Sequence, residues 1–130
     1  MKNADFRTPL SRARGLGSAK HGVSHWLSER VGAVALVPLI IWGAYAVILL
    51  AGLDYYGAVA WIGQPVNATL MILTIAIAFT HMVSGVRVVV EDYIHKTFTK
   101  AALLLLNAGI ALLAGALAIF SILKVALGGA

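Results

Sequence analysis

The stretch that decides the fold is NATLMILTIAIAFTHMVSGVRVVV, residues 67–90, a long apolar run with one histidine inside it. A helix needs about 20 apolar residues to cross the hydrocarbon core of a bilayer, so this run is long enough to span a membrane. An ionisable side chain is costly in that environment. His81 therefore marks a candidate functional site, and imidazole is the commonest side-chain ligand for metals.

The composition of the chain agrees with a membrane protein. Of its 130 residues, 61% are hydrophobic and 12% are charged, whereas a soluble domain is about half apolar and about a quarter charged. The surplus of apolar surface must face lipid. Cysteine is absent, which excludes disulfides, thiolate metal sites and cysteine nucleophiles.

The positive charge is concentrated at the N-terminus. The formal net charge is +5, and most of the ten Lys and Arg residues precede residue 31, namely Lys2, Arg7, Arg12, Arg14, Lys20 and Arg30. A basic segment before the first apolar run is typical of the cytoplasmic side of a membrane protein and attracts anionic lipid. We therefore expect membrane lipid, and no nucleic acid, as a partner.

Run lengths predict an all-α integral membrane protein with three transmembrane helices. Residues 1–30 form a basic cytoplasmic segment, and residues 31–127 form a three-helix anchor domain. The spans are expected at about 31–53, 66–90 and 101–127. Pro38 lies within the first span, where neighbouring helices can satisfy the backbone group that proline frees.

The loops predict the orientation of the three helices. Residues 54–65 contain no Lys or Arg and carry interfacial aromatics, whereas the second loop holds Arg87, Lys96 and Lys100. The positive-inside rule then places the N-terminus inside and the C-terminus outside. The first apolar run is long and lacks an A-x-A cleavage site, so it is a retained helix. The basic N-terminus has no obvious presequence, which favours a bacterial inner membrane over a mitochondrial one.

Polar and small residues share one face of the middle span. At about 100° per residue, they lie within about 60° of His81, and they are Asn67, Thr74, Ser84, Gly85 and Asp92. The opposite face is expected to contact lipid or a packed neighbour. Gly85 follows His81 by one turn and, with Ser84, would leave room beside the imidazole for a flat macrocycle.

The third span contains one strongly polar interior residue, Asn107. Small residues such as Ala111 and Gly115 follow it and permit close contact between helices. We expect the Asn107 side chain to form a hydrogen bond across a helix interface.

Three functions are open to His81 from the residues alone. It could hydrogen-bond to another helix, take part in a proton relay, or bind haem iron. A relay usually needs further titratable groups, and the middle span has none between His81 and Arg87. A low-spin b-type haem takes two axial ligands, but His81 is the one histidine inside the expected spans. Haem binding would therefore require a second subunit.

Two motifs carry a resemblance to a known family. His81 precedes Asp92 and Tyr93 in a His-x10-Asp-Tyr pattern at the cytoplasmic end of the middle helix. The pattern resembles the smaller, hydrophobic membrane anchor subunit of succinate dehydrogenase, or complex II. The segment RTPLSRARGLGSAKHGVSHWLSERVGAVALVPL, with Gly22–Trp26 and Arg30, is similar to that family's entry into its first helix. The similarity in size and topology extends over essentially the whole chain.

The resemblance implies a role for each matching residue. His81 would be an axial ligand of haem b, Arg30 would lie near the haem propionates, and His25 would lie at the haem edge. Tyr93 would donate a hydrogen bond to a ubiquinone carbonyl oxygen, and Asp92 would help to shape the quinone site.

The resemblance also implies a complex. Electrons would pass from succinate through a flavoprotein subunit and an iron–sulfur subunit to ubiquinone, within the respiratory chain and the tricarboxylic acid cycle. A second membrane anchor would share haem b. This chain would be a subunit of the enzyme and not an enzyme by itself.

Alternatives remain beside this interpretation. The chain could be a fumarate reductase-type menaquinone anchor, a small membrane transporter, or a structural subunit without haem. Individual residues have simpler explanations too. Tyr93 could be an interfacial aromatic residue, Arg30 could be a topology signal, and Asp92 could pair with Lys96 four residues on.

Overall fold

The computed structural model describes residues 8–13 and 22–128, apart from the side chains of Ser11, Arg12 and His25. All regular structure in this part of the chain is α-helical. The five helices are α1 (Pro9–Ala13), α2 (Gly22–Ala51), α3 (Tyr55–Ile62), α4 (Pro65–Tyr93) and α5 (Thr97–Ala126). Of these, α2, α4 and α5 are long and apolar enough to cross a membrane. The prediction of an all-α protein with three candidate spans is confirmed.

The three long helices begin before the apolar runs that predicted them, and α2 and α5 also end one or two residues earlier than expected. The first span was expected at about 31–53, whereas α2 occupies Gly22–Ala51 and so begins within the basic N-terminal segment. Both α4 and α5 also begin before the expected residue, and α4 continues to Tyr93. Hydropathy marks the part of a helix that contacts lipid, whereas backbone hydrogen bonding can continue into the polar interface.

Helix α4 packs between α2 and α5 and is antiparallel to both. On the α2 side, Gly32 lies against His81, while Gly43, further along α2, lines a cavity with Thr74, earlier on α4. On the α5 side, Phe79 faces Gly115. The C-terminal end of α4 therefore lies beside the N-terminal ends of α2 and α5.

The interface between α4 and α5 is close because its residues on α5 are small. Ala111 and Gly115 are both buried, and a Cβ atom added at Gly115 would lie 3.6 Å from Cγ of Phe79. Asn107 Nδ2 donates a hydrogen bond to the backbone oxygen of Val83 at 3.2 Å. This bond confirms the prediction for Asn107. The face of α4 opposite His81 thus packs against a neighbouring helix.

The connection between the first two spans, predicted as a loop, contains a helix. Helix α3 begins after Asp54, whose Oδ1 accepts a hydrogen bond from the backbone N–H of Gly57 at 2.8 Å. Such an N-cap satisfies one of the free donors in the first turn.

Aromatic and amide contacts hold α3 against the bundle. The rings of Trp42 and Trp61 are stacked, with centroids 6.0 Å apart and an interplanar angle of 17°. Asn67 Nδ2 donates a hydrogen bond to the Trp61 backbone oxygen at 2.9 Å. Asn67, although it shares the polar face of α4, therefore holds α3 in place and does not contribute to the region around His81.

Replacing Asn107 with Leu should destabilise the bundle modestly. The change keeps the side-chain size but removes the hydrogen bond to Val83, and such interhelical bonds in membranes contribute about 0.6 kcal/mol on average and up to about 1.7 kcal/mol. Denaturant unfolding in mild detergent would measure the loss. Ser121→Ala is the control, because the Ser121 hydroxyl donates to Leu117 of its own helix. An Asn107→Leu variant as stable as this control would contradict the prediction.

Candidate functional site

The imidazole of His81 lies against the backbone of α2. Its Nδ1 atom is buried and has no hydrogen-bond partner within the part of the chain that the structure describes. A Cβ atom added at Gly32 would be 3.8 Å from this nitrogen. The two helices approach closely here because residue 32 has no side chain. A buried polar atom without a partner is rare, and it points to a missing partner or ligand.

Two adjacent cavities border the imidazole. The larger is about 310 Å³ and is lined by Glu29, Arg30, Ala33, His81, Ser84, Gly85 and Val88. The smaller is about 140 Å³ and is lined by Ser28, Glu29, Gly32, Thr80, His81 and Ser84. Small-molecule sites typically measure about 300–1,000 Å³. The larger cavity is at the lower end of that range, as expected if this chain supplies only part of a binding site.

The fold brings four of the residues singled out in the sequence to this place. Arg30 on α2 lines the larger cavity together with His81, Ser84 and Gly85 on α4. A Cβ atom added at Gly85 would meet nothing within 4 Å, so this position is open space beside the imidazole. The residues therefore form a gap between α2 and α4 that a flat group could enter.

The guanidinium of Arg30 lies over the ring of Trp26, with Cζ 5.3 Å from the ring centroid. A cation over an indole face is attracted to it electrostatically. Because the guanidinium is planar, it can also form two parallel hydrogen bonds to a carboxylate. Trp26 thus restrains a cation at the rim of the larger cavity.

Glu29 is a site residue that the sequence analysis missed. It lines both cavities, and its Oε1 atom is buried. The expected span began at residue 31, which placed Glu29 outside the membrane segment. Had the helix been extended by one turn, an acidic residue within it would have been a candidate in its own right.

Tyr93 and Asp92 lie away from the cavities, in the last turn of α4. Tyr93 is 76% exposed. Its backbone is about 18 Å from that of His81 along the helix, at about 1.5 Å per residue. The structure therefore separates two groups of predicted site residues, one at His81 and the other at the end of α4.

The end of α4 is stabilised by charged side chains. Arg87 Nε donates to Glu91 Oε1 at 2.8 Å, and Lys100 Nζ donates to the Glu91 backbone oxygen at 3.0 Å. Helix α4 ends at Tyr93, so Lys96 does not continue the same helix as Asp92. The ion pair that the structure shows here joins Arg87 and Glu91. It lies about one turn before the Asp92–Lys96 pair that the sequence suggested.

The antiparallel packing places the start of α2, the end of α4 and the start of α5 together. We call this the basic end, because among the described side chains it carries Arg30, Arg87, Lys96 and Lys100, whereas Lys124 lies in the last turn of α5. Arg30 and Tyr93 both lie towards the basic end. The side chain of His25 is outside the described residues, so its predicted place at the haem edge stays a prediction.

A third cavity, of about 600 Å³, lies between α4 and α5. It is lined by Ala76, Phe79, Thr80, Val83, Ser84, Ala108, Ala111, Leu112, Gly115, Ala116 and Ile119. No titratable side chain contributes to this lining. The cavity is larger than those at His81, and its lining is mostly apolar, with Thr80 and Ser84 as its polar members.

Comparison with known proteins identifies the family. The family model described as the succinate dehydrogenase/fumarate reductase transmembrane subunit matches residues 4–123. The chain belongs to this family. Matching proteins include the succinate dehydrogenase hydrophobic membrane anchor subunit of Rickettsia conorii, which is 34% identical over 91 residues, 69% of this chain and 72% of the relative. No solved structure matches the chain significantly.

A second relative extends the similarity to another genus. The succinate dehydrogenase hydrophobic membrane anchor subunit of Paracoccus denitrificans is 32% identical over 99 residues, which are 76% of this chain and 77% of the relative. The resemblance inferred from the His-x10-Asp-Tyr pattern and the N-terminal segment is therefore confirmed at the level of the family. The roles of individual residues in binding haem and quinone stay predictions.

Enlarging Gly32 should destabilise the helix pair at His81. A Leu side chain would extend beyond Cβ into the space beside the imidazole, and overpacking of this kind typically costs about 1–3 kcal/mol. Gly32→Ala is the matched control, because its Cβ would lie at an ordinary contact distance of 3.8 Å from Nδ1. Thermal unfolding in detergent would compare the two variants. Equal stability of the Leu and Ala variants would contradict the close contact between α2 and His81.

Proposed function

We propose that this chain is the hydrophobic membrane anchor of a succinate:ubiquinone oxidoreductase, with His81 as an axial ligand of haem b and Tyr93 and Asp92 at the ubiquinone site. The observation that carries the proposal is the imidazole of His81 beside an open cavity that Arg30, Ser84 and Gly85 also line. It occurs in a chain of this family, whose named relatives are succinate dehydrogenase anchors.

The residues around His81 suit a b-type haem. One imidazole is available, Gly85 leaves the neighbouring surface open, and Arg30 provides a cation at the rim. Haem iron accepts imidazole nitrogen as an axial ligand, and bound haem would supply a one-electron carrier. In this proposal His81 orients that carrier, Gly85 and Ser84 pack beside it, and Arg30 neutralises an anionic propionate.

A second subunit must complete the site. Among the described residues, His81 is the one histidine that lines either cavity, so a second axial ligand has no source there, and the cavity at His81 is small. The chain also has no cysteine to bind an iron–sulfur cluster. We therefore infer that a second membrane anchor supplies the other axial ligand, and that a flavoprotein subunit and an iron–sulfur subunit deliver the electrons.

The position of Tyr93 suits a quinone. Quinone reduction takes up protons as well as electrons, so the site needs donors close to water. The Tyr93 hydroxyl can donate a hydrogen bond to a quinone carbonyl oxygen. It is exposed at the end of α4, next to Asp92, which can help to shape the polar surroundings. Both lie nearer the membrane surface than His81.

The distribution of basic residues suits a bacterial inner membrane. The basic end follows directly on the basic N-terminal segment in the sequence, and the positive-inside rule then faces it towards the cytoplasm, with the C-terminus outside. The soluble subunits would dock at this end, close to Tyr93. The relatives named above come from bacterial genera.

The family description also includes fumarate reductase. An anchor of that type would pass electrons from menaquinol towards fumarate. The named relatives are all succinate dehydrogenase subunits, which favours ubiquinone reduction. Assaying the purified complex with ubiquinone and menaquinone analogues would distinguish the two activities.

Replacing His81 with Ala should remove haem from the complex. The variant loses the only imidazole described in the cavity, so the reduced-minus-oxidised visible spectrum of the purified complex should lose its b-type signal. His95→Ala is the control, since His95 lies in the exposed connection between α4 and α5. Unchanged haem content and midpoint potential in the His81 variant would exclude its assignment as a ligand.

Replacing Tyr93 with Phe should impair quinone reduction while haem remains bound. The variant loses one hydroxyl group, and the net contribution of a hydrogen bond corresponds to about a 2- to 10-fold fall in kcat/KM for the quinone. Steady-state reduction of a short-chain ubiquinone by succinate would measure it. Tyr55→Phe, at the opposite end of the bundle, makes the same chemical change as a control. If both variants turned over quinone normally, Tyr93 would be an interfacial residue only.

A further inference from the structure

Glu29 has no role in the function proposed above, although it faces the same space as His81. It lines both cavities that border the imidazole. It also lies one turn before Gly32 on α2, where an added Cβ atom would be 3.8 Å from Nδ1 of His81. Residues three apart on a helix are neighbours on its surface. A carboxylate is thus held on the side of α2 that faces the imidazole.

The buried nitrogen of His81 needs an acceptor. A neutral imidazole has one N–H donor and one nitrogen with a lone pair, and the group that binds the N–H decides which nitrogen carries it. Nδ1 is enclosed by α2 and has no partner in the described part of the chain. If Nδ1 carries the proton, an acceptor is required there and Nε2 is left with its lone pair.

The other polar groups near Nδ1 are less suited to this role. Arg30 can only donate. The Thr80 hydroxyl is oriented by donating to the backbone oxygens of Ala76 and Ile77, at 2.9 and 3.0 Å, and its oxygen is a neutral and therefore weaker acceptor than a carboxylate. Ser28 and Ser84 carry hydroxyls that could accept, but both are neutral. Glu29 is the one carboxylate among the described residues that line either cavity.

We propose that Glu29 is a positioning residue for His81. Its carboxylate accepts a hydrogen bond from Nδ1–H, either directly or through one water molecule in the 140 Å³ cavity, which is large enough for water. The bond selects the tautomer in which Nε2 can bind iron and fixes the orientation of the ring. This inference rests on the proposed function, because iron is the ligand that makes the tautomer matter. Histidine ligands in metalloproteins commonly donate their second N–H to a carboxylate in this way.

The proposal predicts how haem properties change with the side chain at position 29. A carboxylate that accepts from the axial imidazole makes that ligand more basic, which favours ferric over ferrous iron. Glu29→Ala should therefore raise the haem midpoint potential and lower haem affinity by about 10–100-fold. Glu29→Gln keeps the shape and an accepting oxygen but loses the charge, so its affinity should lie between those of the wild type and the Ala variant.

The experiment uses the intact complex purified in mild detergent. Haem retention would be measured by competition with apomyoglobin, the midpoint potential by redox titration, and the ligand field by the EPR g-values of the ferric haem. Glu91→Gln is the matched control, because it makes the same chemical change in an exposed residue that pairs with Arg87 outside both cavities. Co-purification of the other subunits would show that each variant assembles.

The outcomes separate the two proposals. The positioning role is supported if the wild-type complex contains haem and the Glu29 variants differ from it in midpoint potential, g-values and haem retention. The Glu91→Gln control should match the wild type in all three measurements. Glu29 variants that match the wild type in all three measurements would overturn that role while leaving His81 as the ligand. Changes in Ser84→Ala without changes at Glu29 would assign the acceptor to Ser84 and also overturn it. A wild-type complex without any b-type signal would remove the proposed function itself.

Discussion

The bundle depends on one constraint of the membrane, which is that polar atoms in the middle of α4 must be kept from lipid. The two threonines at mid-span satisfy their hydroxyls within the helix, and Thr74 donates to the Leu70 backbone oxygen at 2.7 Å. The backbone oxygen of Val83 accepts from Asn107 on α5. Nδ1 of His81 has no hydrogen-bond partner among the described residues, but it is buried next to Gly32 of α2 and so is kept from lipid. A helix with these residues needs a neighbour on both sides.

The two neighbours shield α4 in different ways. Helix α5 packs closely against it, because Ala111 and Gly115 admit the ring of Phe79. Helix α2 approaches closely at Gly32 but leaves two adjacent cavities beside His81. The gap is therefore on the face of α4 that carries His81, and it remains only partly enclosed by this chain. Such an arrangement suits a group that is shared with another subunit.

Much of this organisation follows from patterns visible in the sequence. Apolar runs of sufficient length predicted the three spans, and a helical wheel predicted that Ser84 and Gly85 would accompany His81. Asn107 is the one amide side chain in an apolar span with small neighbours, and this pattern predicted its hydrogen bond to another helix. Helix α3 was missed because its residues are aromatic and small, a composition that also suits an interfacial loop. It becomes a helix through the cap at Asp54 and the stacking of Trp61 on Trp42.

The sequence by itself determined that the chain is a three-span membrane protein of this family, since hydropathy and local motifs are properties of contiguous residues. Only the tertiary structure decided which residues surround His81. Glu29, Arg30 and Gly32 are about 50 positions away from it in the sequence, and no local pattern reports which face of α2 meets α4. That pairing depends on helix rotation and on the close approach that a glycine permits. The same packing leaves Tyr93 outside the cavities, at the end of the helix that carries His81.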